Sequence, residues 1–296
     1  MVSVTLRDVT LRDGLQDEAP VPTATKRALF EALVAAGITE LEIGSFVRAD
    51  RVPAMADSEE LCAETAAADV VRWGLVLNER GAQRALAAGL RHLQYVVSVS
   101  DTHSRHNSGS STDDAMAGLA AVIARAEGEA AVELTLSTAF GCPYEHEIAV
   151  GRVAALAAEA ADLGVTSVSL ADTIGVAVPT EVTTLIAAVR SATPVPLGVH
   201  LHDTRGLGVA NVLAAIEAEV TRVDGSVGAL GGCPFAPGAS GNVALEDLAF
   251  ALDHMGIATG VSLDGLISAA SLACAAVGRP VGSHLGLAGP RFATLP

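Results

Sequence analysis

The chain has 296 residues, which allows one or two domains, and half of the residues are hydrophobic, so a large core is expected. Its net charge of −16 disfavours nucleic acid and anionic membranes as partners, because both carry negative charge. The four cysteines form no CxxC pair, and no signal peptide or membrane span is predicted. These features predict free thiols in a reducing, cytoplasmic setting.

Short β-branched runs alternate with longer alanine-rich stretches along the chain, which predicts strands followed by helices. The predicted strands are Val2–Val9, Glu40–Gly44, Val70–Leu77, Leu93–Val99, Ala131–Ser137, Val165–Ala171, Val195–His202 and Arg222–Ser226. The predicted helices are Ala24–Ala36, Ser58–Ala67, Glu79–Ala88, Thr112–Glu127, His146–Leu163, Thr180–Ser191, Gly208–Glu219, Ala244–Met255 and Leu263–Val277.

Strand–helix units in strict alternation favour parallel strands joined by crossover helices. Pairing of the last strand with the first gives an α/β fold of the TIM (β/α)8 barrel class. We predict one catalytic domain over residues 1–296, with the barrel over about 1–258 and a short helical C-terminal extension over about 259–296. A doubly wound open sheet is the alternative, and it is disfavoured because no GxGxxG turn follows the first strand.

In such a barrel the chemistry lies at the carboxyl ends of the strands, so polar residues at those ends are the candidates for a site. Arg12 and Asp13 follow the first strand, and Glu42 lies in the otherwise apolar second strand. Asp13 could bind a hard cation and Arg12 a developing oxyanion, although an Asp-Gly surface turn is the simpler interpretation of that segment alone. The carboxylate of Glu42 needs a partner, and we predict an ion pair with Arg12.

The seventh strand ends in His200-Leu201-His202, and strand alternation places both imidazoles on the inner face. This spacing is typical of paired metal ligands, whereas the alternative is one core histidine and one surface histidine. Asp172 ends the sixth strand. It is predicted either to orient Arg12 or a ligand, or to cap the loop that follows.

A Gly-rich segment from Gly228 to Asn242 follows the eighth strand and is long enough to fold over the barrel mouth as a lid. Its Cys233 could act as a general acid or nucleophile, and Asn242 could supply an oxygen ligand. The alternative is a mobile loop that carries a chemically inert cysteine. His103 and His106, in the predicted loop after the fourth strand, are weaker candidates for a ligand contact.

Taken together and in this order, the motifs resemble those of the 3-hydroxy-3-methylglutaryl-CoA (HMG-CoA) lyase family. That family belongs to a wider group of TIM-barrel metal-dependent lyases, which are related to isopropylmalate and homocitrate synthases. The resemblance runs from about Leu6 to about Gly265. Its motifs are Arg12-Asp13-Gly14-Leu15-Gln16, Ser45-Phe46-Val47, Pro53-x-Met55-x-Asp57, Gly141-Cys142-Pro143-Tyr144-Glu145, Asp172-Thr173-Ile174-Gly175, His200-x-His202-Asp203-Thr204, Gly231-Gly232-Cys233-Pro234 and Gly238-Ala239-Ser240-Gly241-Asn242.

The resemblance implies a divalent metal, Mg2+ or Mn2+, and no organic cofactor beyond the CoA of an acyl-CoA substrate. Arg12 and Cys233 are implied as the oxyanion partner and the catalytic thiol, and Asp13 or His202 as the base. The implied metal ligands are Asp13, His200, His202 and Asn242. The predicted substrate-binding residues are Gln16, Glu42, Ser45, Asn107, Asp172, Thr173 and Arg205.

The implied reaction is a retro-Claisen cleavage to acetyl-CoA and a keto acid, which is acetoacetate for HMG-CoA. A homodimer and a role in leucine degradation are also implied. Arg205 and Thr135 stand where the best-known members carry tyrosine, so the acyl group stays open, and we predict that Arg205 binds a substrate anion. The alternatives are a lyase for another 3-hydroxyacyl-CoA such as citramalyl-CoA, a synthase that joins acetyl-CoA to a 2-oxo acid, and an inactive metal-binding scaffold.

Overall fold

Parallel strands build the frame of the molecule. The computed structural model describes residues 3–232, 241–289 and 291–292. Within these residues eight strands pair in chain order and the last pairs with the first, so the predicted TIM barrel is confirmed. The strands are β1 (Thr5–Asp8), β2 (Glu40–Ser45), β3 (Val71–Val76), β4 (His92–Ser98), β5 (Ala131–Ser137), β6 (Ser167–Asp172), β7 (Leu197–Leu201) and β8 (Arg222–Gly225).

Helices surround the barrel and cover the outer faces of its strands. The outward-facing residues of β5, Val132, Leu134 and Leu136, are buried, as expected when crossover helices pack on a parallel sheet. In the described part of the chain no helix is long and apolar enough to cross a membrane. The helices are α1 (Thr23–Ala35), α2 (Ser58–Glu64), α3 (Glu79–Ala87), α4 (Asp101–Asn107), α5 (Thr112–Ala126), α6 (Val150–Leu163), α7 (Pro179–Ala192), α8 (Gly208–Glu217), α9 (Leu245–His254), α10 (Leu263–Val277) and α11 (His284–Ala288).

Charged side chains fill much of the barrel interior. Glu133 of β5 accepts a hydrogen bond from Ser167 of β6 at 2.8 Å, and its other carboxylate oxygen lies 2.9 Å from Arg7 of β1. Trp73 of β3 is buried in the same interior, and its ring centre lies 4.9 Å from the guanidinium carbon of Arg7 and 5.5 Å from that of Arg222. These ion pairs and cation–π contacts offset the cost of removing the charges from water.

Among the differences from the predicted elements, two have a clear local cause. The helix predicted to begin at His146 begins at Val150, because His146 and Cys142 exchange two backbone hydrogen bonds of 2.9 Å and His146 adopts a positive φ of 61°. The segment after β4, predicted as a loop, contains α4. Its first turn is capped by Ser100, whose hydroxyl accepts a hydrogen bond from the backbone N–H of His103.

The C-terminal extension is helical, as predicted. Its helix α10 packs against α1, and the backbone N–H of Ser262, just before α10, donates to the carbonyl of Ala36 at 2.7 Å. Asp247 of α9 accepts hydrogen bonds from the backbone N–H groups of His284 and Leu285, at the start of α11. The extension is therefore fixed to the amino-terminal half of the barrel and to the last barrel helix.

Candidate metal centre and active site

Three buried side chains converge at the carboxyl ends of the barrel strands, and we call them the Asp–His–His trio: Asp13, His200 and His202. His200 lies on the inner face of β7 and His202 directly follows this strand, while Leu201 between them is buried on the opposite face. Asp13 lies in a single π-helical turn, Thr10–Gly14, which follows β1. Such turns are frequent at functional sites because they redirect side chains locally.

The ligand atoms of the trio are close enough to share one ion. The Nε2 atoms of His200 and His202 are 3.3 Å apart. They lie 3.9 Å and 3.8 Å, respectively, from Asp13 Oδ2. Among the described residues the trio forms a group that could hold a metal ion, with its ligand atoms all within 4.8 Å of one another. The predicted approach of the first-strand aspartate to the two seventh-strand imidazoles is therefore present.

Asn242 lies beside the trio. Its backbone forms an isolated antiparallel bridge with His202, and its Nδ2 donates to Asp13 Oδ2 at 2.7 Å and to the Leu230 carbonyl at 3.1 Å. Its Oδ1 is buried and has no hydrogen-bond partner within the described residues. A buried oxygen without a hydrogen-bond partner costs free energy, and a ligand bound to this atom would remove that cost. Two imidazoles, a carboxylate and an amide oxygen fit a divalent ion in donor type.

Arg12 supplies positive charge at the same end of the barrel. Its Nη1 lies 2.5 Å from Asp13 Oδ1, and its Nε lies 2.7 Å from Glu42 Oε2, so the predicted ion pair with Glu42 is present. Burial opposes the ionisation of Asp13, but Arg12 and the two imidazoles outweigh it and lower the pKa of Asp13 well below its usual range. Burial also opposes the charge of Arg12, yet Glu42 and Asp13 raise its pKa above the usual value.

Two of the predicted substrate-binding residues are Gln16, which comes after β1, and Ser45, which ends β2. Gln16 donates from Nε2 to Asp13 Oδ1 at 3.3 Å, which places its amide next to the trio. Ser45 is the last residue of β2 and is buried, and its backbone N–H donates to the hydroxyl of Ser58 at 3.1 Å. A role of either residue in substrate binding stays a proposal.

Asp172, at the end of β6, caps the loop that follows it. Its two carboxylate oxygens accept hydrogen bonds from the backbone N–H groups of Val176 and Ala177, at 3.0 Å and 2.9 Å. Of the two roles predicted for Asp172, the structure shows the loop cap. Its carboxylate therefore fixes the shape of a loop at the barrel mouth.

Thr173 and Arg205 lie on neighbouring loops at the barrel mouth. Thr173 Oγ1 accepts a hydrogen bond from the backbone N–H of Thr138 at 2.8 Å. The exposed Arg205 donates from Nη1 to the carbonyls of Ile174, at 3.0 Å, and Gly175, at 2.8 Å. These bonds tether the guanidinium to the loop after β6. Substrate-anion binding by Arg205 stays a proposal.

The candidates on α4 make contacts with other protein groups. Asn107 is exposed at the end of this helix. His103 is buried with its Nδ1 2.8 Å from the hydroxyl of Ser98, and burial lowers its pKa to about 4. His106 stacks on Tyr144 with the ring centres 4.6 Å apart. The Asp–His–His trio includes neither of these histidines.

Part of the predicted lid lies outside the described residues. Cys233 belongs to that part, 233–240, so lid closure and the catalytic thiol stay predictions. Just before it, Gly231 has a φ of 110°, and a Cβ there would lie 2.5 Å from Asn242 Nδ2. Only glycine fits where the backbone passes this close to the amide.

Two charged residues behind the trio were missed by the sequence reasoning. Asp224 Oδ2 of β8 lies 3.3 Å from His200 Nδ1, and Arg7 of β1 donates to both oxygens of Asp224. Burial opposes ionisation of Asp224, but Arg7 and the bond to His200 lower its pKa well below the usual range. Strand alternation was a signal for Asp224: it lies two residues after Arg222 on β8, so both side chains point into the barrel.

The closed parallel barrel carries two imidazoles, a carboxylate and a guanidinium at the carboxyl ends of its strands. These features define the class of TIM-barrel enzymes with a candidate metal centre. Residues 3–273 match the family model described as HMGL-like. The chain belongs to the HMGL-like family, so the family expected from the motifs is confirmed.

Relatives with assigned names cover nearly the whole chain. An (R)-citramalyl-CoA lyase of Chloroflexus aurantiacus is 39% identical over 99% of this chain and 96% of the relative. A hydroxymethylglutaryl-CoA lyase of Bacillus subtilis is 38% identical over 95% of each chain. The structure of an HMG-CoA lyase from Acinetobacter baumannii, in complex with coenzyme A and 3-methylmalate, has a TM-score of 0.95 and 37% identity, with coverage of 99% of this chain and 97% of that one. The family and these similarities identify a carbon–carbon lyase.

Proposed function

We propose that this chain cleaves 3-hydroxy-3-methylglutaryl-CoA, or a closely similar thioester, into acetyl-CoA and a keto acid. For HMG-CoA the keto acid is acetoacetate. The observation that carries the proposal is the convergence of Asp13, His200 and His202 beside Arg12 at one end of the barrel. The similarity to named HMG-CoA lyases over nearly the whole chain supports it.

A divalent ion, Mg2+ or Mn2+, would be held by Asp13, His200, His202 and Asn242. Oxygen ligands suit both ions, and imidazole nitrogen is tolerated by the softer Mn2+. When bound, the ion supplies Lewis-acid activation of the substrate hydroxyl and carboxylate oxygens. Support for the fourth ligand comes from the buried Oδ1 of Asn242, which lacks a partner among the described residues.

The residues of the chain account for the movement of charge and protons. Asp13 or His202 takes the proton of the substrate's tertiary hydroxyl. The bond from the hydroxyl carbon to the methylene next to the thioester breaks, the hydroxyl carbon becomes a ketone, and the electron pair passes to the enolate of acetyl-CoA. Arg12 stabilises the enolate oxygen, which contributes about 3 kcal/mol by analogy with other oxyanion donors. The thiol of Cys233 gives its proton to the enolate carbon and completes acetyl-CoA.

(R)-Citramalyl-CoA is the second candidate substrate. The observation that favours it is the 39% identity, over 99% of this chain, to a lyase of that name. Citramalyl-CoA lacks one methylene between the hydroxyl carbon and the distal carboxylate, so the same cleavage yields acetyl-CoA and pyruvate. A difference this small is decided by pocket residues, and we propose that Arg205 binds the substrate anion.

An assay of acetyl-CoA release tests the proposal. The enzyme is given HMG-CoA or (R)-citramalyl-CoA with Mg2+, with Mn2+ or with EDTA, and the keto acid is identified. Acetoacetate from HMG-CoA supports the first substrate, and pyruvate from citramalyl-CoA supports the second. No acetyl-CoA from either thioester in the presence of metal would contradict the proposal.

Two cysteine variants test the catalytic thiol. Cys233→Ala should lose acetyl-CoA release, because it removes the proposed proton donor. Cys62→Ala is the matched control, since Cys62 is buried on α2 and should leave turnover nearly unchanged. Wild-type turnover in Cys233→Ala would remove the thiol from the mechanism.

We also propose a cytoplasmic homodimer, on the strength of the family resemblance. The exposed Leu272 of α10 and Leu287 of α11 are apolar side chains available for such an interface. A role in leucine degradation follows if HMG-CoA is the substrate. Sedimentation equilibrium should give about twice the chain mass, and the mass of one chain would contradict the dimer.

A further inference from the structure

A row of three side chains crosses adjacent strands behind the Asp–His–His trio. His200 of β7 is in register with Asp224 of β8, and Asp224 is in register with Arg7 of β1. All three are buried. The Nε2 of His200 belongs to the trio, whereas its Nδ1 lies 3.3 Å from Asp224 Oδ2. The two nitrogens of one ring therefore have separate partners.

Arg7 holds Asp224 through two hydrogen bonds. Its Nε donates to Oδ1 at 2.8 Å, and its Nη2 donates to Oδ2 at 2.7 Å. A bidentate pair of this kind fixes the plane of the carboxylate as well as its position. Because neither side chain is exposed to solvent, water does not compete for these bonds.

We propose that Asp224 is a positioning residue that fixes the tautomer of His200. A carboxylate can only accept hydrogen bonds, so the Nδ1 of neutral His200 carries the proton and the lone pair remains on Nε2, inside the trio. Carboxylates commonly orient metal-binding imidazoles from the far nitrogen in this way. The inference rests on the proposed function, because it assigns Asp224 and Arg7 a role at the proposed metal site.

His202 differs from His200 in this respect. Its Nδ1 is buried and has no hydrogen-bond partner within the described residues. Of the two imidazoles of the trio, only that of His200 therefore has a carboxylate partner at its Nδ1 among the described residues. The metal affinity should therefore depend strongly on Asp224.

The Asp224→Asn variant tests this role because it keeps the shape of the side chain and replaces one acceptor oxygen by a donor. Its single oxygen cannot serve both His200 and the two N–H groups of Arg7. An amide NH2 facing Nδ1 places the imidazole proton on Nε2, which blocks coordination. Glu133→Gln is the matched control, because Glu133 is an equally buried carboxylate that contacts Arg7 at 2.9 Å but lies on β5, away from His200.

Two measurements on the metal-free enzyme read out the effect. Titration with Mn2+, followed by electron paramagnetic resonance, should show binding weakened about 10- to 100-fold in Asp224→Asn and by less than about threefold in Glu133→Gln. The 15N spectrum of the imidazole rings should place the proton of His200 on Nδ1 in the wild type and on Nε2 in Asp224→Asn. A His200→Gln variant assigns the resonance.

An Mn2+ affinity within about threefold of wild type in Asp224→Asn overturns the inference, as does an equal loss in Glu133→Gln. A wild-type His200 that carries its proton on Nε2 also overturns it, and that spectrum requires no variant to fold. If the wild type binds Mn2+ and cleaves a thioester but is insensitive to Asp224→Asn, only the positioning role fails. If the wild type binds no Mn2+ and cleaves no thioester, the proposed function fails as well.

Discussion

Replacement of the buried Asp8 by asparagine should change how the stability of the barrel depends on pH. Asp8 ends β1, has no exposed surface, and accepts hydrogen bonds from the backbone N–H of Thr10 at 3.0 Å and from its hydroxyl at 2.6 Å. Burial outweighs these two bonds and raises the pKa of Asp8 to about 7, and the carboxylates of Glu246 and Glu42 add to the rise.

The direction of the effect follows from proton binding. A carboxyl group whose pKa is higher in the folded state binds its proton more tightly there, so the free energy of unfolding falls as the pH rises from 3.8 to about 7. At about 1.4 kcal/mol per pH unit the whole interval corresponds to roughly 4 kcal/mol. Roughly 2 kcal/mol of this decrease in the free energy of unfolding occurs between about pH 5.5 and 8.5. That pH range lies above the isoelectric point, which is near 4.8.

Urea unfolding of the wild type and Asp8→Asn measures this quantity, with EDTA present so that metal binding adds no pH dependence of its own. The unfolding free energy of the wild type minus that of Asp8→Asn should fall by roughly 2 kcal/mol across this range. Asp69→Asn alters an exposed side chain just before β3 and should give a constant difference. A constant difference for Asp8→Asn as well would refute the assignment of this titration to Asp8.

Other outcomes are expected at the site itself. Removal of metal with EDTA should abolish acetyl-CoA release and added Mg2+ or Mn2+ should restore it, whereas release from enzyme shown to be metal-free would contradict a metal role. Glu42→Ala deprives the buried Arg12 of a partner and should lower the free energy of unfolding by about 3–5 kcal/mol in urea, and a loss below about 1 kcal/mol would mean that solvent replaces Glu42. Gly231→Ala places a Cβ 2.5 Å from Asn242 Nδ2 and should weaken Mn2+ binding. Gly232→Ala is the control, because its Cβ meets no described atom within 4 Å, and it should leave Mn2+ binding unchanged. Equal Mn2+ affinities of the two variants would count against Asn242 as a ligand.

The barrel and part of the site could be predicted because their signals are local. Apolar runs of strand length alternate with helical stretches along the chain, and each unit carries its own pattern. The inward direction of His200 and His202 follows from their spacing on one strand. The pairing of Glu42 with Arg12 follows from the rule that a buried carboxylate needs a partner.

The features that were missed depend on contacts between distant parts of the chain. Arg7 and Asp224 are 217 positions apart and meet only because β8 closes on β1. The π-helical turn Thr10–Gly14 has no hydrophobic period of its own, so the sequence indicates only a loop there. Helix α4 has only 7 residues, fewer than periodicity can identify, and its start depends on a side-chain cap.

The position of Trp73 gives the protein a built-in optical probe. It is the only tryptophan in the sequence, and its indole N–H donates to Glu40 at 3.0 Å. Arg7 and Arg222 lie over its ring. Emission excited at long ultraviolet wavelengths therefore comes from one point inside the ring of strands. A shift of that emission reports water entering the barrel, so opening of the interior can be timed in the unlabelled enzyme, separately from loss of helix seen by circular dichroism.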